Sequence, residues 1–347
     1  MRQRSNRFIA SIALAGTLAM VFAAVALAAT IIGDDGDNVL VGTPDADRIF
    51  GKGGNDTIHA RGGRDVVLAG DGDDVADGNG GSDVVLGGGG NDQLDGSRGR
   101  DLVRGGEGED IVRGGGGHRG RRGDLLFGNV GNDQVYGNRG REFIGGNAGD
   151  DLLNGGGGRD EIYGGRDNDT INGGGGATYS KRGRRQGRDR LHGGQGLDTI
   201  NGDGGRDFIS GGKENDALNG GGGGDLVFAN RGNDVIDGGE GNDVLWALSK
   251  FDVELAGDPL GDALTGGNGN DTFRTRDGEV DLITCGEGDR DRVRADQYDV
   301  ITDATPEDST GTCERVVRAD ASTESDSEEN QTEEEPEDER EGEGETP

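Results

Sequence analysis

Apolar residues punctuate most of this chain at intervals of nine, each standing two places after an acid or amide. The apolar series opens with Leu40, Ile49, Ile58 and Val67 and runs to Leu245, with Ala76 its weakest member. The acids run unbroken from Asn38 to Asp110, resume from Asp124 to Asp169 and from Asp189 to Asp243, and return at Asp262 and Asp271. Of these 24 positions 22 are Asp, the exceptions being Asn38 and Glu142, so the period is a property of the chain and not of composition. Glycine stands two places before nearly every acid, with Asp45, Arg122, Asp167 and Glu214 among the replacements. Glycine permits tight turns at positive φ, and the triplet centred on each apolar residue is long enough for one short strand. The pattern therefore predicts an all-β chain of three-residue strands joined by glycine turns.

The full unit reads G-G-x-G-x-D-x-U-x, as in Gly105-Gly106-Glu107-Gly108-Glu109-Asp110-Ile111-Val112-Arg113 and Gly238-Gly239-Glu240-Gly241-Asn242-Asp243-Val244-Leu245-Trp246. It resembles the RTX, or haemolysin-type, calcium-binding nonapeptide repeat. That resemblance implies a parallel β-roll, a β-solenoid with two nonapeptides per turn. Turns stacked about 4.8 Å apart set each loop's Asp and carbonyls beside the loop eighteen residues on, an oxygen cage suited to several Ca2+ ions. The implied ligands are Asp47, Asp56, Asp65, Asp74, Asp83, Asp92, Asp101, Asp110, Asp133, Asp151, Asp160, Asp169, Asp198, Asp207, Asp216, Asp225, Asp234, Asp243 and Asp271. The firmest pairs are Asp56 with Asp74, Asp65 with Asp83, Asp74 with Asp92, Asp83 with Asp101 and Asp92 with Asp110.

Two inserts, near 114–123 and 177–188, break the period. Counted as lengthened loops, they preserve the alternation of strands between two sheets and predict one continuous roll. One sheet then turns an apolar face outward, with Phe50, Leu68, Leu86, Phe127, Phe143, Tyr163, Phe208, Phe228 and Trp246 on it. The other sheet shows His59, Asp77, Asn154, Asn172 and Asp237, with Tyr136 its single aromatic. A long outward apolar stripe calls for a cover: a protein partner, a second copy or the C-terminal cap. The inserts are basic, His118-Arg119-Gly120-Arg121-Arg122 and Lys181-Arg182-Gly183-Arg184-Arg185-Gln186-Gly187-Arg188, and read either as solvated loops or as contacts for an acidic cell-envelope polymer.

Composition sharpens this picture. With 29% hydrophobic and 4% aromatic residues and 76 glycines, the chain is too poor in apolar bulk for an ordinary core, so a metal or partner must contribute stability. The net charge is −33, of which residues 320–347 carry −13, leaving an acidic body that disfavours nucleic acid and fits a cation. Arg2, Arg4 and Arg7, then an apolar run from Phe8 to Val25, then Ala26-Leu27-Ala28, read as an export signal with a cleavage site. An uncleaved anchor is the rival reading, and no later segment suits a membrane span. Cys285 and Cys313, alone and 28 apart, read as a disulfide in an exported protein. The expected organisation is a signal peptide at 1–28, a β-roll at 29–246, irregular repeats and a cystine cap at 247–318, and a disordered acidic tail at 319–347. The cap resembles those that follow such repeats in actinobacterial secreted proteins.

No H-E-x-x-H, G-x-S-x-G or P-loop occurs, and His59, His118 and His192 are scattered, so neither a triad nor a zinc site has its parts. RTX proteins often carry an enzymatic or pore-forming domain ahead of the repeats, and the short stretch between signal and repeats leaves no room for one. The expectation is a secreted or cell-surface calcium-binding repeat protein that folds on binding Ca2+ and serves as a structural or adhesive scaffold, not an enzyme. The alternative is an RTX-type enzyme or toxin with its activity in 247–318.

Overall fold

A computed structural model describes residues 28–116, 123–174, 188–247, 261–302 and 312–319. The expected signal segment, the basic inserts apart from their flanks, and the acidic tail lie outside the described residues. Among the described residues every regular element is a β-strand, and no helix is long and apolar enough to cross a membrane.

Each x-U-x triplet becomes a strand because the glycine turns on either side leave room for little more. In Thr57–His59 and Gln93–Asp95 the central Ile58 and Leu94 are buried while their neighbours face outward, as the two-residue pleat requires. Most of the alternate strands are longer, as in Arg48–Gly53 and Val66–Asp71, and extend into the glycines before the next acid. Alternate strands go to opposite sheets. One sheet has 15 strands, from Thr30–Ile32 to Arg315–Arg318, and the other has 14, from Val39–Val41 to Val300–Ile301. All pairing is parallel, with Arg48 beside Val66 and Thr57 beside Val75, eighteen residues on. The result is a β-solenoid of about 13 turns, the parallel β-roll that the repeat implied.

The inserts lengthen loops without breaking the sheets. Leu102 pairs with Leu125 and Ile111 with Gln134 across the first, and Glu161 with Arg190 and Thr170 with Thr199 across the second. A third lengthening, at 248–260, is passed by the pairs Val235 with Ala263 and Val244 with Thr272. Each turn buries one apolar side chain from each sheet, for example Ile162 against Ile171, so the core is two columns wide and everything else faces a turn or solvent. The segment expected as a cap is built from the last turns of the same two sheets. Leu282–Thr284, Arg292–Ala295, Val300–Ile301 and Arg315–Arg318 extend them in register. There the buried disulfide Cys285–Cys313, with Cα atoms 5.3 Å apart, ties the end of one sheet to the last strand of the other.

The apolar outer face of the 15-stranded sheet is organised as a ring ladder. Phe127, Phe143, Tyr163, His192, Phe208, Phe228 and Trp246 stack in sequence with ring centroids 4.8–5.8 Å apart. Phe143 stands two residues before the position of its neighbours in the column, where Gly145 pairs with Phe127, and still reaches both Phe127 and Tyr163, while the Phe127 ring lies against Gly145. The ends are closed by guanidinium groups, Arg104 at 5.0 Å from Phe127 and Arg274 at 4.0 Å from Trp246. The rings cover one another, and each is half-buried. The stripe thus supplies much of the cover that a partner was expected to provide.

Two stability outcomes follow from this architecture. Cys285→Ser with Cys313→Ser should lower the unfolding free energy by about 3–4 kcal/mol, the chain-entropy value for a loop of this length, read from denaturant melts in calcium; unchanged melts would mean that the last turns frayed independently of the rest. Phe228→Ala removes two ring contacts and should destabilise by about 1–3 kcal/mol beyond lost apolar area, whereas Leu68→Ser, on the same face outside the ladder, should stay near neutral. Equal effects at the two positions would count against a structural ladder.

Candidate metal centre

In many loops the glycine two places before the acid is required by both backbone and space. Gly54 has φ of 87°, and a β-carbon there would strike the Gly36 backbone one turn away. Asp167 and Glu214, which replace that glycine, still adopt φ of 72° and 69°, the left-handed region that only glycine enters freely. The loop geometry is thus imposed by the stack even where the residue resists it.

These loops set the acids in two columns, one along each long edge of the roll. Asn38, Asp56, Asp74, Asp92, Asp110, Asp133, Asp151, Asp169, Asp198, Asp216, Asp234, Asp262 and Asp281 precede strands of the 14-stranded sheet. Asp47, Asp65, Asp83, Asp101, Asp124, Glu142, Asp160, Asp189, Asp207, Asp225, Asp243, Asp271 and Asp291 precede strands of the 15-stranded sheet. Apart from Asn38, all of them are buried. One carboxylate oxygen is held by the neighbouring turn: the Asp56 N–H donates to Asp74 Oδ1 at 2.7 Å, Asp74 to Asp92 at 2.9 Å, and Asp65 to Asp83 at 2.8 Å. The same bond crosses the inserts, from Asp101 to Asp124 at 2.8 Å and from Asp160 to Asp189 at 2.7 Å. Every pair singled out from the sequence is adjacent in its column, and the pairs that span the inserts have the same geometry.

The other oxygen is buried without a hydrogen-bond donor. This holds for Oδ2 of Asp56, Asp65, Asp74, Asp83, Asp92, Asp101, Asp110, Asp133, Asp151, Asp160, Asp169, Asp198, Asp207, Asp216, Asp225, Asp243 and Asp271 among the residues singled out from the repeat. It holds also for Asp189, Asp281 and Asp291, which the sequence reading left out. The signal for the last two was present, since Asp281-Leu282-Ile283 and Asp291-Arg292-Val293 keep the D-x-U triplet without the glycines. Beside many of the orphaned oxygens lies a backbone carbonyl of the next turn: a β-carbon added at Gly87 would collide with both Asp92 Oδ2 and the Gly105 carbonyl, and one at Gly164 with Asp169 Oδ2 and the Gly193 carbonyl. Asp47 differs. Its Oδ2 accepts the Thr43 N–H at 2.5 Å and its Oδ1 the Thr43 hydroxyl at 3.0 Å, so that loop meets its own demand.

Burial pushes Asp92, Asp101 and Asp133 up to about 7 against the opposing backbone N–H, and the next carboxylates in the column push the same way. For the same reasons Asp169 and Asp189 rise to about 8 and Asp216 to about 9. Glu142 is raised by burial and by the Asp160 carboxylate. Asp47 is lowered despite its burial, because the Thr43 and Ala29 N–H groups and the Thr43 hydroxyl hold its anion.

Carboxylate oxygens without donors, facing carbonyl oxygens, form an acceptor-only cradle, and only a cation or a proton satisfies it. No three His, Cys, Asp or Glu side chains converge among the described residues, so a metal here must draw on backbone carbonyls. Calcium accepts such mixed oxygen sets, whereas zinc selects nitrogen and sulfur. The residues present therefore fit calcium.

The two edges differ outside the columns. On the edge entering the 14-stranded sheet, the residue before most of the acids is Asn, Asp or Glu and builds an exposed ladder, with Asp73 N–H on Asn55 Oδ1 at 3.0 Å and Asn91 N–H on Asp73 Oδ1 at 2.8 Å. On the opposite edge that position is mostly Arg, as at Arg64, Arg100, Arg141 and Arg159.

The model of the RTX calcium-binding nonapeptide repeat matches residues 32–67, 59–94, 86–119, 120–153, 145–179, 185–218, 219–249 and 257–279. No curated protein matches the chain.

The raised carboxyls fix the sign of a pH effect in metal-free protein. Their folded values lie above the ordinary carboxylate value, so the folded chain holds protons that the unfolded chain releases. Stability is then greatest below about pH 4 and is lost as pH rises through the interval of about 6 to 9 set by Asp83 and Asp216. In chelator, far-ultraviolet circular dichroism should show more β-structure at pH 5 than at pH 8, and saturating calcium should erase the difference. Equal spectra in chelator at both values would contradict the columns as drawn.

Proposed function

The chain belongs to the RTX calcium-binding nonapeptide-repeat family, and from that premise we propose that it is exported and folds on binding calcium outside the cell, where the filled roll serves as an envelope or adhesive scaffold. The observation that carries this reading is the double column of orphaned carboxylate oxygens. Without a cation the columns set buried like charges one turn apart, in a chain whose core is two side chains wide. With calcium between successive loops, the same oxygens become ligands.

On this reading each ion lies between neighbouring loops of one column and takes a carboxylate and carbonyls from the two turns. The ligands are the acids singled out from the repeat, apart from Asp47, whose oxygens Thr43 and Ala29 already hold, with Asp189, Asp281 and Asp291 added by their place in the columns. Calcium supplies positive charge and coordination, and the chain's own residues supply spacing and exclusion of water. Extracellular calcium modules bind at about 10⁻⁴–10⁻³ M, so the roll would stay unfolded inside the cell and fold after export. The basic start and Ala26-Leu27-Ala28 support export, as does the disulfide between Cys285 and Cys313. A repeat-only β-solenoid is not a typical enzyme fold, and a scaffold role matches its long, uniform surface. A protein partner or second copy on the apolar face is no part of this proposal, because the rings cover one another.

Titrating the metal-free chain with calcium should give a cooperative gain of β-structure with a shift in Trp246 fluorescence, and magnesium should not reproduce it. Asp92→Ala together with Asp110→Ala should bind fewer ions by calorimetry and need more calcium to fold, whereas the exposed Asp73→Asn should match the native chain. A native chain fully folded in chelator at pH 8 would remove the calcium-coupled reading.

A further inference from the structure

The two edges of the roll carry opposite charge, a segregation that the acid columns neither need nor explain. Between residues 60 and 206, the loops entering the 15-stranded sheet hold nine described arginines and one acid, Asp203, besides the column acids. Over the corresponding turns, the described loops entering the other sheet hold six acids, among them Asp71, Asp73, Glu107 and Glu109, and one arginine, Arg166.

The arginines are regularly placed. Arg64, Arg100, Arg141, Arg159, Arg188 and Arg206 all stand one residue before a column acid, and the last four do so in four successive turns. Turns in a parallel sheet repeat at about 4.8 Å, so the six mark a line roughly 34 Å long. All six are exposed. Two of them run along the axis to the next turn, with Arg159 Nε donating to the Arg188 carbonyl at 3.4 Å and Arg206 Nε to the Gly224 carbonyl at 3.3 Å. Among the described residues of these loops, those between the arginines are Gly, Ser, Asn, Ala and Asp, all of them small.

We propose that this arginine edge is a docking ridge for a linear anionic polysaccharide, laid along the roll axis with its charged groups against the guanidinium row. The proposal rests on the export reading, which places the ridge among envelope polymers. Guanidinium groups pair with sulfate, carboxylate and phosphate oxygens through parallel donors, and a row at constant rise suits a polymer of constant repeat. Single-stranded nucleic acid is the weaker fit, because no aromatic side chain stands among the described residues of these loops for a base to stack on. The chain's own tail is also a weaker fit, since its acids come in runs such as Glu333-Glu334-Glu335 and not at a constant interval. The acidic opposite edge limits a bound polymer to one side of the roll.

The test uses the full calcium-loaded chain and dextran sulfate, with uncharged dextran and a single-stranded oligonucleotide as comparison probes. The native chain should bind dextran sulfate in a salt-dependent manner and ignore dextran. The variant Arg141→Gln, Arg159→Gln, Arg188→Gln, Arg206→Gln should bind at least tenfold more weakly with a shallower salt dependence, the matching Arg→Lys variant should retain most binding, and Lys52→Gln with Lys213→Gln on the other edge should behave as native. Circular dichroism in calcium establishes that each variant is folded. Native-like binding by the folded glutamine variant, or no binding by the native chain, overturns the proposal. So does equal affinity for the oligonucleotide, which would mark a general polyanion surface, or binding that emerges only when residues 320–347 are removed, which would make the tail the occupant. Arginine-dependent binding without a calcium-induced fold would reject the calcium-coupled reading and leave the ridge standing, whereas the converse would reject the ridge alone.

Discussion

Nearly every turn of this roll places two carboxylates in its interior, most of them with one oxygen tied to the preceding turn and the other without a donor. Burial of an anion among acceptors is unfavourable by several kcal/mol per group unless a cation or proton intervenes. With one such group per nine residues, the chain cannot treat the demand as a local defect. The apolar core cannot offset it, because each turn contributes little more than a single apolar side chain, mostly Ile, Val or Leu, from each sheet. The stability of the roll therefore depends on how these buried acids are neutralised, by a cation or by a proton, and loop geometry, glycine placement and the spacing of the acids all shape that one cradle.

Stacking also explains why irregular stretches do not break the molecule. Parallel pairing between consecutive turns depends on the strands meeting in register, not on the length of the loop that joins them. The roll therefore passes 116–123, 174–188 and 247–261 with the Oδ1 ladder intact, and Asp243 N–H still reaches Asp271 Oδ1 at 2.8 Å. The same logic carries the sheets into the cystine region, where Asp281 and Asp291 hold column positions although their glycines are gone. What terminates the array is covalent: Cys285 and Cys313 join the two sheets where the repeat no longer enforces the turn.

A solenoid amplifies small periodic biases into surfaces. A single aromatic residue on a strand is unremarkable, but at one per turn rings approach within about 5–6 Å and stack, so that Phe127 through Trp246 form a continuous rib closed by Arg104 and Arg274. A single Arg before an acid is equally ordinary. Confined to alternate repeats, it becomes a charged edge, since alternate repeats always return to the same side. The rib reinforces the scaffold, and the edge gives it a chemical polarity.

Periodicity in the sequence was sufficient for the strand centres from Leu40 to Leu245, the two columns of acids, the parallel pairing and the oxygen chemistry, because one apolar residue, one acid and fixed glycines per nine residues leave little choice of turn. It was also sufficient to place Phe127, Phe208 and Phe228 on one outer face, since alternation follows from counting. Tertiary structure decided whatever depends on contacts between turns. Asp47 and Asp65 hold the same place in the period, yet Thr43 satisfies one and nothing satisfies the other's Oδ2. Asp281 and Asp291 keep the D-x-U triplet but lack the glycine two places before it, and stacking beside Asp262 and Asp271 is what puts them in the columns. The half-burial of the rings and the separation of arginines from acids onto opposite edges exist only once eighteen residues have become one turn, because each depends on a distance between residues that the chain itself keeps far apart.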